Sequence, residues 1–523
     1  MSKPTIRDRR HFLAGATALS AAAMLPWSGS LWAAAEATRG GRLRISVDQA
    51  VNVLNPLIAR VNPEYLVAEL LYSGLTRLSA GMDAEPDLAE SWQANAALTE
   101  WTFRLREGVV FHDGSACTAE DAAASLRAIL DPANAAPGRR NIGPIIAIEV
   151  PDPHTLVLRT DQPFADLPVT LTHPTAKVVP RTIAEQGLER LAREAIGCGP
   201  FVLERFEPER QVVVSRNPRY YDAERPYLEG VEVRVYPDPT AEGSALIAGD
   251  IDMMLSTQAT EYERLAHAAG VKALRVPSGQ FLNINMACDR APFDDPRVRQ
   301  ALALCIDRAA MVDFVAEGYG APGQDTPVSP AYRYYAEQPP KAVDIERARE
   351  LLAEAGHGDG LDLTLVASDT PSTRTQLAIA VREMAAPAGF RITVETMANS
   401  TYLEQVWQKG SFYIGFYNMQ PTVDALFSLL YVSDAAWNET RWNDAEFDRL
   451  VAQARSSADD AERTKLYAQA QQAMHDQVPS VIPVFFDLLS AQRSYVLGYA
   501  LNPRGAVFQL DRVWFGAGAP QRG

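Results

Sequence analysis

The chain has 523 residues, which at ~100–200 residues per domain allows about two to four domains and a large core. Apolar residues make up 47% and charged residues 22%, and Gly and Pro number 32 and 35; these ordinary values exclude disordered, collagen-like and low-complexity chains. Four Cys in this length do not make a disulfide scaffold, and a net charge of −16 argues against a nucleic-acid protein, whose phosphate contacts need a basic face.

Residues 1–35 read as an export signal. Arg7, Arg9 and Arg10 form a basic start, and no charged residue occurs from Phe12 to Ala35. Ala33-Ala34-Ala35 supplies a small-x-small cleavage site before Glu36. The stretch is rich in Ala, Ser, Thr and Gly and is interrupted by Pro26, so it is too weakly apolar for a membrane anchor. Asp8-Arg9-Arg10-His11-Phe12-Leu13 resembles the twin-arginine export motif, which implies export of an already folded protein. No Cys lies near the cleavage site, so no lipid anchor is expected and the mature protein should be free in a bacterial periplasm. The signal carries a net +3, so its removal leaves −19.

The mature chain opens with an alternating strand, Arg42 to Val47. A helix follows from Pro63 and ends by Gly74. Trp101 to Arg106 alternates as a strand, and Thr118-Ala119-Glu120-Asp121 is a capping-box-like helix start. Thr155–Leu158, Gln211–Ser215 and Val231–Tyr236 read as strands. Asp295-Pro296 starts a helix with an acid at the N-cap and Pro at N1. An amphipathic helix from Asp344 to Ala355 ends at Gly356. The strand Leu361–Val366, a helix near Thr373–Ala386 and the strand Phe390–Val394 give β-α-β order, which predicts a parallel sheet segment. Asp460–Gln477 is the last long helix, stopped by Pro479. Mixed strands and helices throughout make the class α/β or α+β.

The sequence lacks G-x-G-x-x-G, Walker, G-x-S-x-G and H-E-x-x-H motifs. The six His of the mature chain are widely spread, with none paired at i, i+3 or i+4, so no metal site and no cofactor are expected. His112 and His154 fall in turns and read as surface residues. Cys117, Cys198, Cys288 and Cys305 allow three complete pairings, among which the spacing does not choose; buried free thiols are the favoured reading.

From Glu85 onward the order of motifs resembles the family 5 extracellular solute-binding proteins, the dipeptide, oligopeptide, nickel and opine receptors of ABC importers. Pro86-Asp87-Leu88-Ala89-Glu90-Ser91-Trp92 precedes Trp101 to Gly108, Phe111-His112-Asp113-Gly114 and Thr118 to Asp121. Gly197-Cys198-Gly199-Pro200-Phe201 is similar to the family's G-x-G-P-[FY] turn. Arg216 to Tyr221, Ala248 to Asp252, Pro292 to Leu302 and Leu351 to Gly356 continue the series, which covers roughly residues 42–515. Trp92, Trp101 and Phe111 are read as core, Gly197 and Gly199 as permitting a tight crossing turn, and Arg297 and Arg299 as helix-surface or ion-pair residues.

The resemblance implies an α/β periplasmic-binding-protein-like fold of two hinged lobes with an extra domain inserted beside lobe one. The expected division is 1–35 signal, 36–80 and 197–283 in lobe one, 81–196 inserted, 284–484 lobe two, and 485–523 the return to lobe one with the tail. The implied function is a periplasmic receptor, not an enzyme, that captures a small organic solute between closing lobes and delivers it to ABC permease subunits. A monomer that binds no nucleic acid is expected. The alternatives are a periplasmic enzyme or chaperone on the same fold, or a chemoreceptor-coupled binding protein. Ligand contacts are expected at Tyr65, at Arg139 and Arg140, whose paired guanidinium groups suit a carboxylate, and at Phe281 and Asn283. A further segment contributes Tyr417, Asn418 and Met419, with Asp424 and Trp437 beyond it. Peptide-binding members carry a Trp-x-x-Asp-like stretch there whose Asp pairs with the ligand ammonium, but here no acid occurs between Glu404 and Asp424. Asp424 is the candidate replacement. The nickel receptors' histidine is absent, since no His occurs between His357 and His475. These departures point to a peptide-like or carboxylate-bearing solute.

Overall fold

A computed structural model describes residues 37–186, 188–192 and 194–520. The export-signal expectation, with Arg9, Arg10, Phe12, Leu13, Ala33 and Ala35, lies outside the described residues.

One eleven-stranded sheet organises the molecule. Its centre is a long antiparallel pair, Val271–Met286 and Ser480–Arg493, running from Val271 opposite Arg493 to Asn285 opposite Ser480. On one side lie Met253–Met254, Arg42–Val47, Gly230–Val235, Gln211–Arg216 and Phe201–Glu207. On the other lie Phe412–Tyr417, Leu361–Ser368 and Phe390–Met397. Leu361–Ser368 and Phe390–Met397 pair in parallel around the helix Thr373–Ala385, so the expected β-α-β unit forms. The two long strands thus carry the chain between the two lobes of a mixed α/β fold. A separate four-stranded antiparallel sheet, in the order Ala89–Ala94, Glu100–Leu105, Thr155–Thr160, Ile145–Asp152, packs beside the first lobe. The described residues form one compact unit.

Local chemistry places the helices. Thr118 and Asp121 close a reciprocal capping box at the start of Ala119–Leu130. Asp295, Asp344 and Asp459 each cap a helix by accepting from backbone N–H groups of its first turn. Arg299 is buried, and its guanidinium donates to the carbonyls of Gln477 and Val478 at 3.0 Å each, satisfying the open end of Asp460–Gln477. Arg297 pairs with Asp295 at 2.6 Å.

The Gly197–Pro200 turn is a close backbone crossing. A Cβ on Gly197 would lie 2.0 Å from the Leu71 carbonyl oxygen, and one on Gly199 2.5 Å from the Leu71 carbonyl carbon, so both positions require glycine. His112 is a strut of this crossing and not a surface group. It is half-buried, and its ring nitrogens lie 3.4 Å from the Ala195 carbonyl and 3.3 Å from that of Gly199. All four cysteines are unpaired, with Cys117, Cys198 and Cys305 buried and Cys288 half-buried.

Candidate functional site

A cavity of about 570 Å³ opens where the first lobe, the second lobe and the inserted segment meet. Its first wall is the helix Asn62–Leu71, which presents Tyr65, with Arg60 just before it. A second wall comes from the long strand Val271–Met286. Its pairing register shifts between Pro277 and Gln280, and this bulge turns Ser278 and Gln280 to the cavity. Gly279 sits at the bulge because a Cβ would meet Tyr332 at 2.6 Å and Met419 at 2.7 Å. Its N–H donates to the Met419 sulfur at 3.3 Å, and Gln280 Nε2 donates to Asn418 Oδ1 at 2.7 Å, which ties the 418–420 loop to the strand.

The third wall is the C-terminal return. Asn502-Pro503-Arg504-Gly505 is a turn closed by Gly505 N–H to Asn502 C=O at 2.9 Å, with Gly505 at φ +73°. Asn502 Nδ2 anchors it to the Ser79 carbonyl at 3.2 Å. The turn presents Arg504, whose Nη1 is buried and has no hydrogen-bond partner. Burial lowers the pKa of Arg504, while Tyr65, Tyr332 and Glu69 oppose that effect. The Tyr499 hydroxyl and Thr257 Oγ1, on the same cavity, are also buried without partners. Polar groups of this kind, with no protein partner beside a cavity, suit a polar ligand.

A second cavity of about 410 Å³ adjoins the first. It lies between the segment carrying Arg139 and Arg140 and the helix Val423–Leu430, which carries Asp424. Both arginines are exposed; Arg139 Nε donates to the Leu130 carbonyl at 3.0 Å. Asp424 is buried and accepts from Arg455 Nε at 2.9 Å. Asn141, His173 and Gln420 line both cavities. His173 is held neutral: burial lowers its pKa well below the usual value, with Arg504 and Lys177 adding to the effect. A third cavity of about 390 Å³ lies beside Trp92 and Trp101, between the inserted segment and the second lobe.

Of the residues expected to touch ligand, Tyr65, Asn418 and Met419 line the first cavity and Arg139, Arg140 and Asp424 the second. Phe281, Asn283, Tyr417 and Trp437 line neither. Strand alternation beyond the bulge turns Phe281 into the core, between Tyr417 at 5.7 Å and Phe485 at 6.1 Å. Asn283 is buried and donates to Asn285 Oδ1 at 2.8 Å. The Tyr417 hydroxyl donates to buried Glu439, which also accepts from Trp407 and Asn285. Burial raises the Glu439 pKa, and Tyr417, Trp407 and Tyr413 oppose it. Trp437 stacks edge-on to Trp407 at 5.4 Å. The side chains of Phe281, Asn283, Tyr417 and Trp437 are therefore engaged in packing and hydrogen bonds within the protein and not on the cavity walls. Arg504 was not anticipated; its only signal in the sequence is an N-P-R-G turn carrying an arginine.

The cavities contain a charge imbalance. On the walls of the first and second cavities the only acids among the described residues, Asp487 and Asp424, are paired with Arg275 and Arg455. Arg60, Arg139, Arg140 and Arg504 form no ion pair among the described residues. An acidic protein therefore holds a basic cleft. No group of three or more His, Cys, Asp or Glu among the described residues is arranged to hold a metal.

Comparison with known proteins agrees with this architecture. The family described as bacterial extracellular solute-binding proteins, family 5 Middle, matches residues 83–439. The glutathione-binding protein GsiB of Shigella flexneri is 28% identical over 471 residues, covering 88% of this chain and 92% of its own. AgaA from A. tumefaciens R10, solved with agropinic acid, superposes with a TM-score of 0.75 at 25% identity, covering 91% of this chain and 99% of its own. The Helicobacter pylori periplasmic binding protein DppA, solved with the peptide STSA, has a TM-score of 0.74 at 22% identity, covering 91% and 98%, and supports the fold alone. With a hinged two-lobe sheet, a solute-sized cavity where the lobes meet and a family match over most of its length, the chain belongs to the family 5 extracellular solute-binding proteins.

Proposed function

We propose that the chain is the periplasmic receptor of an ABC importer and takes an anionic, peptide-like organic solute between its lobes. The observation that carries the reading is the basic cleft: four arginines without ion-pair partners face cavities whose own acids are neutralised. The first cavity, at about 570 Å³, falls in the ordinary range for small-molecule sites of ~300–1,000 Å³. Arg504 supplies a desolvated cation, Tyr65 an apolar face, and Asn418 and Gln280 adaptable hydrogen bonds. Glutathione, the solute named for GsiB, is a peptide-like anion of the kind this charge pattern suits. The reading is of binding without chemistry, export by the twin-arginine route without a lipid anchor, and a monomer docking on its permease.

The domain division belongs to the same proposal. Residues 36–80 and 197–283 belong to the first lobe, 81–196 to the insertion and 284–484 to the second lobe, and 485–523 comprise the return to the first lobe and the tail. The lobes close on the solute, and the solute's preference for the closed state is what the permease reads.

Thermal melts and titration calorimetry against neutral, cationic and anionic peptides and opine-type acids test the reading. Saturable stabilisation by an anionic solute recovered intact is expected. Preference for a cationic solute, or conversion of the solute, would overturn it.

A further inference from the structure

The two adjoining cavities carry unpaired cations at separate places and an uncharged wall in common. Arg504, with its buried and partnerless Nη1, belongs to the first cavity. Arg139 and Arg140 belong to the second, and no hydrogen bond or ion pair among the described residues engages the Arg140 guanidinium. Asn141, His173 and Gln420, on both cavities, offer amide and imidazole groups. His173 Nε2 lies 3.2 Å from Asn141 Nδ2, and its Nδ1 lies 2.8 Å from Thr175 Oγ1. Phe164 and Leu429 add an apolar surface to the second cavity.

We infer that the two cavities are one two-chambered site for an elongated peptide-like solute with a carboxylate at each end. The inference rests on the receptor reading above and goes further by assigning one anionic end to each chamber. Arg504 would hold one carboxylate in the first chamber, and Arg139 with Arg140 the other at the rim of the second. The shared waist suits amide groups, because it donates and accepts hydrogen bonds without carrying charge. No unpaired acid on either wall waits for an ammonium, so a zwitterionic dipeptide of zero net charge matches the site less well than a tripeptide with two carboxylates and one amine. Asp424 already has its charge balanced by Arg455, so an ammonium there would meet an ion pair and not a bare carboxylate.

The test uses the full mature chain, a neutral dipeptide as control and three probes: glutathione and its two derivatives in which one or the other carboxylate is an amide. Each is titrated by calorimetry into the wild type, Arg504→Gln, and the double variant Arg139→Gln with Arg140→Gln. A loss of about ten- to a hundredfold for each amide against the wild type is expected. One amide's penalty should vanish in Arg504→Gln and the other's in the double variant, the pattern of two separate charge pairs in a mutant cycle. Arg504→Lys, which keeps a point charge, should fall between. If both penalties vanish in one variant, or the double variant binds all probes as the wild type does, the two-chamber assignment fails while the receptor reading stands. If a neutral dipeptide binds and none of the three probes does, the diacid class fails and a receptor remains. If no peptide or organic acid binds the folded wild type, both readings fail.

Discussion

Asp424 and Arg455 form a buried ion pair, Nε to Oδ1 at 2.9 Å, on the wall of the second cavity. Burial, with the Asp166 charge adding to it, raises the pKa of Asp424, and the Arg455 charge only partly opposes the shift. The residue best placed by sequence to replace the family's amine-binding Asp thus already has a cation. Removing Arg455 leaves an uncompensated buried carboxylate, so Arg455→Met should cost about 3–5 kcal/mol of stability by denaturant unfolding. Asp424→Leu combined with Arg455→Met should recover most of that loss. Asp424→Asn should leave the affinity for a solute lacking its amine and one carrying it in the same ratio, as competition binding would show.

Arg504 makes the opposite trade. Arg504→Ala removes a cation that forms no ion pair among the described residues and whose Nη1 has no hydrogen-bond partner. Affinity for a carboxylate solute should fall by about 2–5 kcal/mol. The stability of the unliganded protein should hold or rise, because no desolvated charge remains. A matched fall in both quantities would identify Arg504 as a packing residue.

Two buried groups set opposite pH slopes. His173 resists protonation in the folded chain, whereas the unfolded chain takes the proton near pH 6.5. Its contribution is therefore present above pH 6.5 and is lost as the pH falls below that value. Glu242 is pushed up to about 7 by burial, only partly offset by the Ser46 hydroxyl, which donates to it at 2.5 Å. Its folded form keeps a proton that the unfolded chain releases near pH 4.5, so stability erodes as pH rises from there to about 7. Glu242→Gln should raise stability above pH 7 by roughly 1–3 kcal/mol and change little at pH 4. His173→Gln should flatten the fall in melting temperature between pH 7 and pH 5. Melts across pH 4–8 read both.

Contacts between the inserted segment and the second lobe hold the present arrangement. Arg463 pairs with Asp166 at 2.5 Å, both largely buried, and the Ala165 N–H donates to the Arg455 carbonyl at 3.0 Å. Arg463→Met should shift the population toward an open form and weaken solute binding by roughly tenfold. Small-angle scattering should show a larger radius of gyration for this variant without solute and convergence with the wild type at saturation.

Helices were legible in the sequence because their signals are local. Asp295-Pro296, the Thr118–Asp121 box and the acids before Asp460–Gln477 name their own starts. The long central strands were not. Pro277, Gly279 and Pro483 interrupt them, and burial on both faces of Ser480–Val484 removes the alternation that marks a strand. The site was legible only in part. Asn418 and Met419 sit in a loop whose family position is apparent, but Phe281 and Tyr417 look like ligand walls only until the bulge at Pro277–Gln280 sets which face they take. Arg504 shares a cavity with Tyr65 and His173, each more than three hundred residues away, and no local pattern encodes such a meeting.

The most direct test of the account is native mass spectrometry of the protein purified without denaturation from its own cells. One acidic organic solute per chain, released unchanged and absent from Arg504→Ala, is the predicted result. A cationic solute, or one retained undiminished by Arg504→Ala, would contradict it.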